Sequence, residues 1–147
     1  MKRTLKLIGL ILTMGIIFFF SSQPDLKSSN TSGGFMKIFY DIYALFGSLS
    51  IDEYVERYGK FIRKLAHFSE FGMLGFFAYT NIKEYYKNNT VYLSTLLCAT
   101  YAITDEIHQL FVVGRYCSVV DMLIDTAGSL TIILICYFVS SKCRRKS

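Results

Sequence analysis

The chain has 147 residues, 52% of them hydrophobic, with 13 Phe, 11 Tyr, one Pro and a formal net charge of +5. That length suits one domain, 1–147. Nine of the 16 Lys and Arg residues sit at the chain ends and in one short connection, and no basic patch interleaves with a soluble fold, so no nucleic-acid partner is expected.

Four apolar stretches follow one another: Leu5–Phe20, Leu65–Ile82, Val91–Phe111 and Val119–Val139. A helix crosses a bilayer with about 20 residues, and roughly 17–25 is the working range. The stretches run from slightly short to ample by that measure. The predicted fold class is therefore all-α, a polytopic membrane protein with four transmembrane helices. Leu5–Phe20 follows basic Met1–Lys6, as a secretory signal also does. Ser21-Ser22-Gln23-Pro24 offers no obvious small-residue cleavage site, so a retained first helix is the preferred reading.

After the first helix, Ser28–Gly34 is a flexible linker by composition. Phe35, Ile38, Phe39, Ile42, Leu45 and Phe46 then recur at helical spacing. This predicts an outer amphipathic helical segment, lying in the membrane interface or packed on the bundle. Asp52–Lys64 has acids about a turn before bases, as in a solvated helix, and leads straight into the second span. That span opens Arg63-Lys64-Leu65-Ala66-His67-Phe68-Ser69-Glu70. His67 and Glu70 share a helix face, and Gly72 and Gly75 permit close helix approach. Asn81–Thr90 is a short polar loop.

The third span reaches Asp105, Glu106, His108 and Gln109 near its outer end, Val113-Gly114-Arg115 turns the chain, and the fourth opens with Asp121 and Asp125 on one face. With a rise of 1.5 Å per residue, Asp105 lies about 9 Å below Phe111. Glu70 and Asp125 lie at similar depth in their own helices. His67, Glu70, Asp105, Glu106, His108, Asp121 and Asp125 are thus expected to converge on one outward pocket, with Arg63, Lys64 and Arg115 at its rim. A charged residue at a helix centre costs about 2.5–3.5 kcal/mol to insert, and less near the interface. Such groups pair, face water, bind an ion or protonate.

Lys2, Arg3, Lys6, Lys83, Lys87, Lys142, Arg144, Arg145 and Lys146 fall on one side of a four-span chain, against the single acid Glu84. Basic flanks mark the cytoplasm, so the expected localisation is the cell membrane, multi-pass, with both termini inside. The four cysteines are dispersed, with no CxxC and no metal spacing. Cys98 and Cys136 are expected to pack, Cys117 lies in the outer loop, and Cys143 lies at the inner face.

Three blocks resemble the VanZ-like family of small bacterial membrane proteins. They are Phe20-Ser21-Ser22-Gln23, then Arg63-Lys64-x-Ala66-His67-Phe68-x-Glu70, then Asp105-Glu106-x-His108-Gln109-x-Phe111-x-x-Gly114-Arg115 leading to Asp121, Asp125 and Gly128. Phe71 stands where the family often has Tyr, Asp125 where Asn is common, and Ile132 where a second Gly often follows, which suggests slightly looser helix contact. The resemblance implies a cell-envelope role bearing on resistance to the glycopeptide antibiotic teicoplanin.

Three functional readings compete, and non-catalytic binding is preferred. In the first, Arg63, Lys64, His67, Glu70, Gln109, Arg115, Asp121 and Asp125 bind a lipid headgroup, a lipid-linked cell-wall precursor or the antibiotic. In the second, the chain is an intramembrane enzyme acting on a lipid-linked substrate. Its catalytic candidates are Glu106, His108 and Asp105, with Glu106 as general base. Its cofactor would be a divalent metal held by some of His67, Glu70, Asp105, His108 and Asp121. The third is a small transporter or proton relay, against which the confinement of the ionisable set to one leaflet argues.

Overall fold

The computed structural model describes residues 3–23 and 33–144. The 28–32 part of the expected linker and the basic residues Lys2, Arg145 and Lys146 lie outside that range, as do the side chains of Phe35 and Cys143. Among the described residues the chain is all-helical, with five helices and no strand: α1 (Arg3–Ser21), α2 (Gly33–Tyr43), α3 (Ile51–Ile82), α4 (Thr90–Gln109) and α5 (Val119–Arg144).

The second helix is longer than its apolar stretch. Ser50 and Glu53 form a reciprocal capping box, in which the Ser50 N–H donates to Glu53 Oε2 at 2.8 Å and the Glu53 N–H donates to Ser50 Oγ at 3.4 Å. The Ser50 N–H, and after it the Ser50 hydroxyl, hold the Glu53 carboxyl below the usual carboxylate range. The cap is therefore complete at neutral pH and weakens on acidification, as Glu53 protonates. From there α3 runs unbroken for 32 residues, about 48 Å, so the charged segment and the following apolar stretch are one rod.

Helix α2 packs on the bundle by one edge. Tyr40 and Tyr43 pack on Tyr54 of α3, with ring centroids 5.5 and 4.9 Å apart. Its other edge carries Ile38 and Ile42 outward, and Phe46 in the turn beyond is 92% exposed.

The most extensive helix pairing is α3 with α5. Its cause is a lack of side chains. A Cβ on Gly75 would come 2.5 Å from the Ser129 carbonyl oxygen, and one on Gly128 would come 2.3 Å from that of Phe68. Ile132 does not loosen the pair, because it lies over Gly72, where an added Cβ would meet Ile132 Cγ1 at 3.1 Å. Phe71, Leu74, Ala78, Cys98, Ala102 and Ile133 form the buried core, joined by Ile17 from α1.

The outward surfaces of α1, α3, α4 and α5 are apolar: Ile11 and Leu12, Phe61 and Met73, Leu96 and Ile103, Leu123 and Phe138 are all exposed. By length and apolarity, α1 over Arg3–Ser21 and α5 over Val119–Lys142 are able to cross a membrane. The α3 and α4 stretches, expected as the second and third spans, are not among these helices, and they carry His67, Glu70, Asp105 and Glu106.

One end of the bundle gathers basic groups. Lys6 of α1 pairs with Glu84 in the α3–α4 connection, Arg3 Nε lies 3.7 Å from Glu84 Oε2, and Asn81 Nδ2 donates to the Lys6 carbonyl at 2.9 Å. The hydrogen bond from Lys6 holds the Glu84 carboxyl below its usual range. Ser140 and Ser141 of α5 share a hollow with Lys83 and Lys87 at this end.

Candidate functional site

The opposite end of the bundle holds the carboxylates. Along α1, Lys6 and Ser21 are 15 residues apart, or about 22 Å. Ser21 is fully buried there, and its hydroxyl donates to Asp105 Oδ2 at 2.7 Å. Gln109, one turn along α4, donates its Nε2 to the same oxygen at 3.0 Å. Asp105 therefore fastens the end of α1 to α4. Ser21 and Ser22 divide the work, because Ser22 Oγ instead donates to the Phe18 carbonyl and ends the helix.

Glu106 is only 1% exposed, and its Oε2 accepts the Ser118 N–H at 2.7 Å. Ser118 Oγ in turn accepts the Asp121 N–H at 3.3 Å in the first turn of α5. Gly114 has φ 81°, in the left-handed region where glycine is favoured, and the reversal it makes returns the chain over the cluster. Arg115, on that loop, is half-buried and lies close enough to act electrostatically on His67, Glu70 and Glu106.

Lys64 Nζ lies 2.5 Å from Asp121 Oδ1, a half-exposed ion pair linking α3 to α5. One turn of α3 thus faces one turn of α5, with Lys64 on Asp121 and His67 on Asp125. His67 Nδ1 stands 4.0 Å from Asp125 Oδ1, a contact too long for a hydrogen bond. One ligand atom from each of His67, Asp105 and Asp125 lies within 4.8 Å of the others.

Arg63, Lys64, His67, Glu106, Gln109, Asp121 and Asp125 line one narrow cleft, together with Ile124. Its volume is about 10 Å³, enough for a single water-sized occupant. Two larger hollows, of about 520 and 330 Å³, lie at the other end, around Tyr79 and Lys83. Cavity size and chemistry therefore part company here, because the carboxylate end is packed tightly enough for its groups to interact.

Most of the expected convergence is present, with changes of partner. His108 leaves the carboxylates and stacks on Phe18, with ring centroids 4.4 Å apart. Glu70 is half-buried and does not line the cleft. Of the expected metal set, His67 and Asp105 come together, but the third position is taken by Asp125, while Asp121 goes to Lys64. Tyr101 Oη donates to the Met14 carbonyl at 2.7 Å and so braces α1. Ser21 and Ser118 were not expected as site residues. The signal for Ser118 was its position three before Asp121, as in a helix cap.

No match was found among curated proteins or solved structures. Residues 6–140, nearly the whole length, match the VanZ/LLP1 family model, and the chain belongs to that family.

Proposed function

We propose that this VanZ-like protein crosses the membrane four times, with α1, α3, α4 and α5 as spans and both termini in the cytoplasm. The carboxylate cluster then lies in the outer leaflet. The supporting observation is the inverted polarity of the bundle: apolar side chains cover its outer surface while Asp105, Glu106 and Asp125 are buried between its helices. In water that arrangement would be unfavourable on both counts. In a bilayer the apolar surface meets lipid and the ionisable groups meet each other. The basic end around Lys6, Lys83 and Lys87 supports the inside orientation. An accessibility reporter at Asn88 is expected to read cytoplasmic, and an external reading overturns this orientation.

The role is non-catalytic and in the cell envelope, lowering sensitivity to glycopeptides such as teicoplanin. The cleft is too small for a headgroup, so a lipid headgroup, wall precursor or antibiotic is met at its mouth. There Arg63 and Lys64 suit phosphate or carboxylate. A proton relay is disfavoured because the apolar core of Phe71, Leu74 and Ile133 separates the cluster from the basic end. An enzyme acting on a lipid-linked substrate is the second reading, favoured by Glu106 sharing a cleft with His67 and Asp125. The test is susceptibility at equal membrane abundance. Wild type is expected to protect selectively against teicoplanin over vancomycin, with protection lost in Glu106→Gln and His67→Gln. Full protection by both variants would reduce the cluster to a structural clasp, and no protection by wild type removes the resistance role.

A further inference from the structure

The arrangement of unpaired atoms at the carboxylate end has a specific chemical reading. Both carboxylate oxygens of Asp125, Oδ1 of Asp105 and Nδ1 of His67 are buried and have no hydrogen-bond partner among the described residues. Asp125 is 1% exposed and Asp105 3%. A buried acceptor left unpaired costs about 1–3 kcal/mol, and more when charged. One ligand atom from each of these three residues lies within 4.8 Å of the others, so a single small occupant between them reaches all three. Three nearby donors are already engaged: Lys64 with Asp121, and Ser21 and Gln109 with the other oxygen of Asp105.

We infer that His67, Asp105 and Asp125 form a binding site for one divalent transition cation, of which Zn²⁺ is the best match. One imidazole nitrogen and two carboxylates are a donor set that zinc accepts, and three protein ligands leave one position open. Tetrahedral ligand atoms each about 2.1 Å from one ion stand about 3.4 Å apart. Closure by up to about 1.4 Å, within the reach of side-chain rotation, therefore completes the coordination. The neighbouring cleft of about 10 Å³ admits a water or one ligand atom at the open position and excludes an organic group. Charge agrees, because Glu70, Asp105, Glu106, Asp121 and Asp125 exceed Arg63, Lys64 and Arg115 by two formal charges. The site joins three helices, so the ion would also hold α3, α4 and α5 together at their outer ends. This deepens the functional reading of the same site by naming what occupies its centre.

The test uses the full chain without a histidine tag, extracted in detergent, stripped with EDTA and titrated with Zn²⁺ or Mn²⁺. Wild type is expected to bind one equivalent of Zn²⁺ saturably, more tightly than Mn²⁺, with a higher unfolding temperature. Asp125→Asn and His67→Gln weaken this at least about tenfold. Asp52→Asn, on the exposed first turn of α3, leaves it unchanged. X-ray absorption of the loaded wild type, which depends on no variant, shows nitrogen and oxygen neighbours without sulfur. Failure of wild type to bind a saturable equivalent overturns the inference, as does a sulfur ligand or unchanged binding in folded variants. Metal binding with unaltered glycopeptide sensitivity overturns only the functional reading.

Discussion

Gly75→Leu is expected to destabilise the protein by about 3 kcal/mol or more, the largest effect of any single change considered. The hydrogen on Gly75 is replaced by a carbon 2.5 Å from the Ser129 carbonyl oxygen and 2.9 Å from the Ser129 Cα. Those are backbone atoms of a helix and do not rotate aside, so α3 and α5 must separate. Separation also pulls His67 from Asp125 and Lys64 from Asp121, because both pairs bridge the same two helices. Thermal unfolding in detergent measures the loss. Gly15→Leu is the control: a Cβ there meets nothing within 4 Å, so its effect stays within about 0.5 kcal/mol or is slightly stabilising through helix propensity. Equal unfolding temperatures for the Gly75 and Gly15 variants would remove close approach as the cause of the α3–α5 pairing.

Asp105→Ala, measured in chelator, is expected to cost roughly 2–4 kcal/mol, because it strands two donors in one step. Ser21 Oγ and Gln109 Nε2 both reach Asp105 Oδ2, and all three residues are buried. The opposing effect is relief of a buried carboxylate, since removing such a group sometimes stabilises a protein. Here the stranded donors dominate, because both are buried. Ser21→Ala alone costs less, about 1–2 kcal/mol, and a double-mutant cycle between the positions returns a coupling of about 1 kcal/mol or more. Zero coupling would mean that α1 is held by packing of Ile17 and by Tyr101 on Met14, and not by the carboxylate. If Asp105→Ala is more stable than wild type, the carboxylate is kept at a cost to stability and its role is functional.

The two effects fall on different sides of one design. Small residues bring α3 and α5 to backbone contact, and polar side chains then tie α1 and α4 to that pair at the carboxylate end. The basic end is fastened separately, through Lys6 and Glu84. Loss of the first contact disturbs every ionisable pair across α3 and α5, whereas loss of Asp105 frees mainly α1.

The sequence by itself determined the helical class, the helix positions and the gathering of ionisable residues at one end. Those features follow from local periodicity, from 1.5 Å of rise per residue and from the placement of charges along the chain. The family was also legible, because its motif blocks are linear and lie along most of the chain. Partner choice was not. Asp121 and Asp125 occupy one face of α5, and nothing in their spacing tells which meets Lys64 and which meets His67. The α3–α5 crossing settles it, through Gly75 against Ser129 and Gly128 against Phe68. Ser21 lies 84 residues from Asp105, so their hydrogen bond exists only once α1 packs beside α4. His108 shares a helix face with Asp105, yet Phe18 of α1 draws its ring into a stack. Only the tertiary structure decides such matters, because it alone sets which faces of separate helices are in contact.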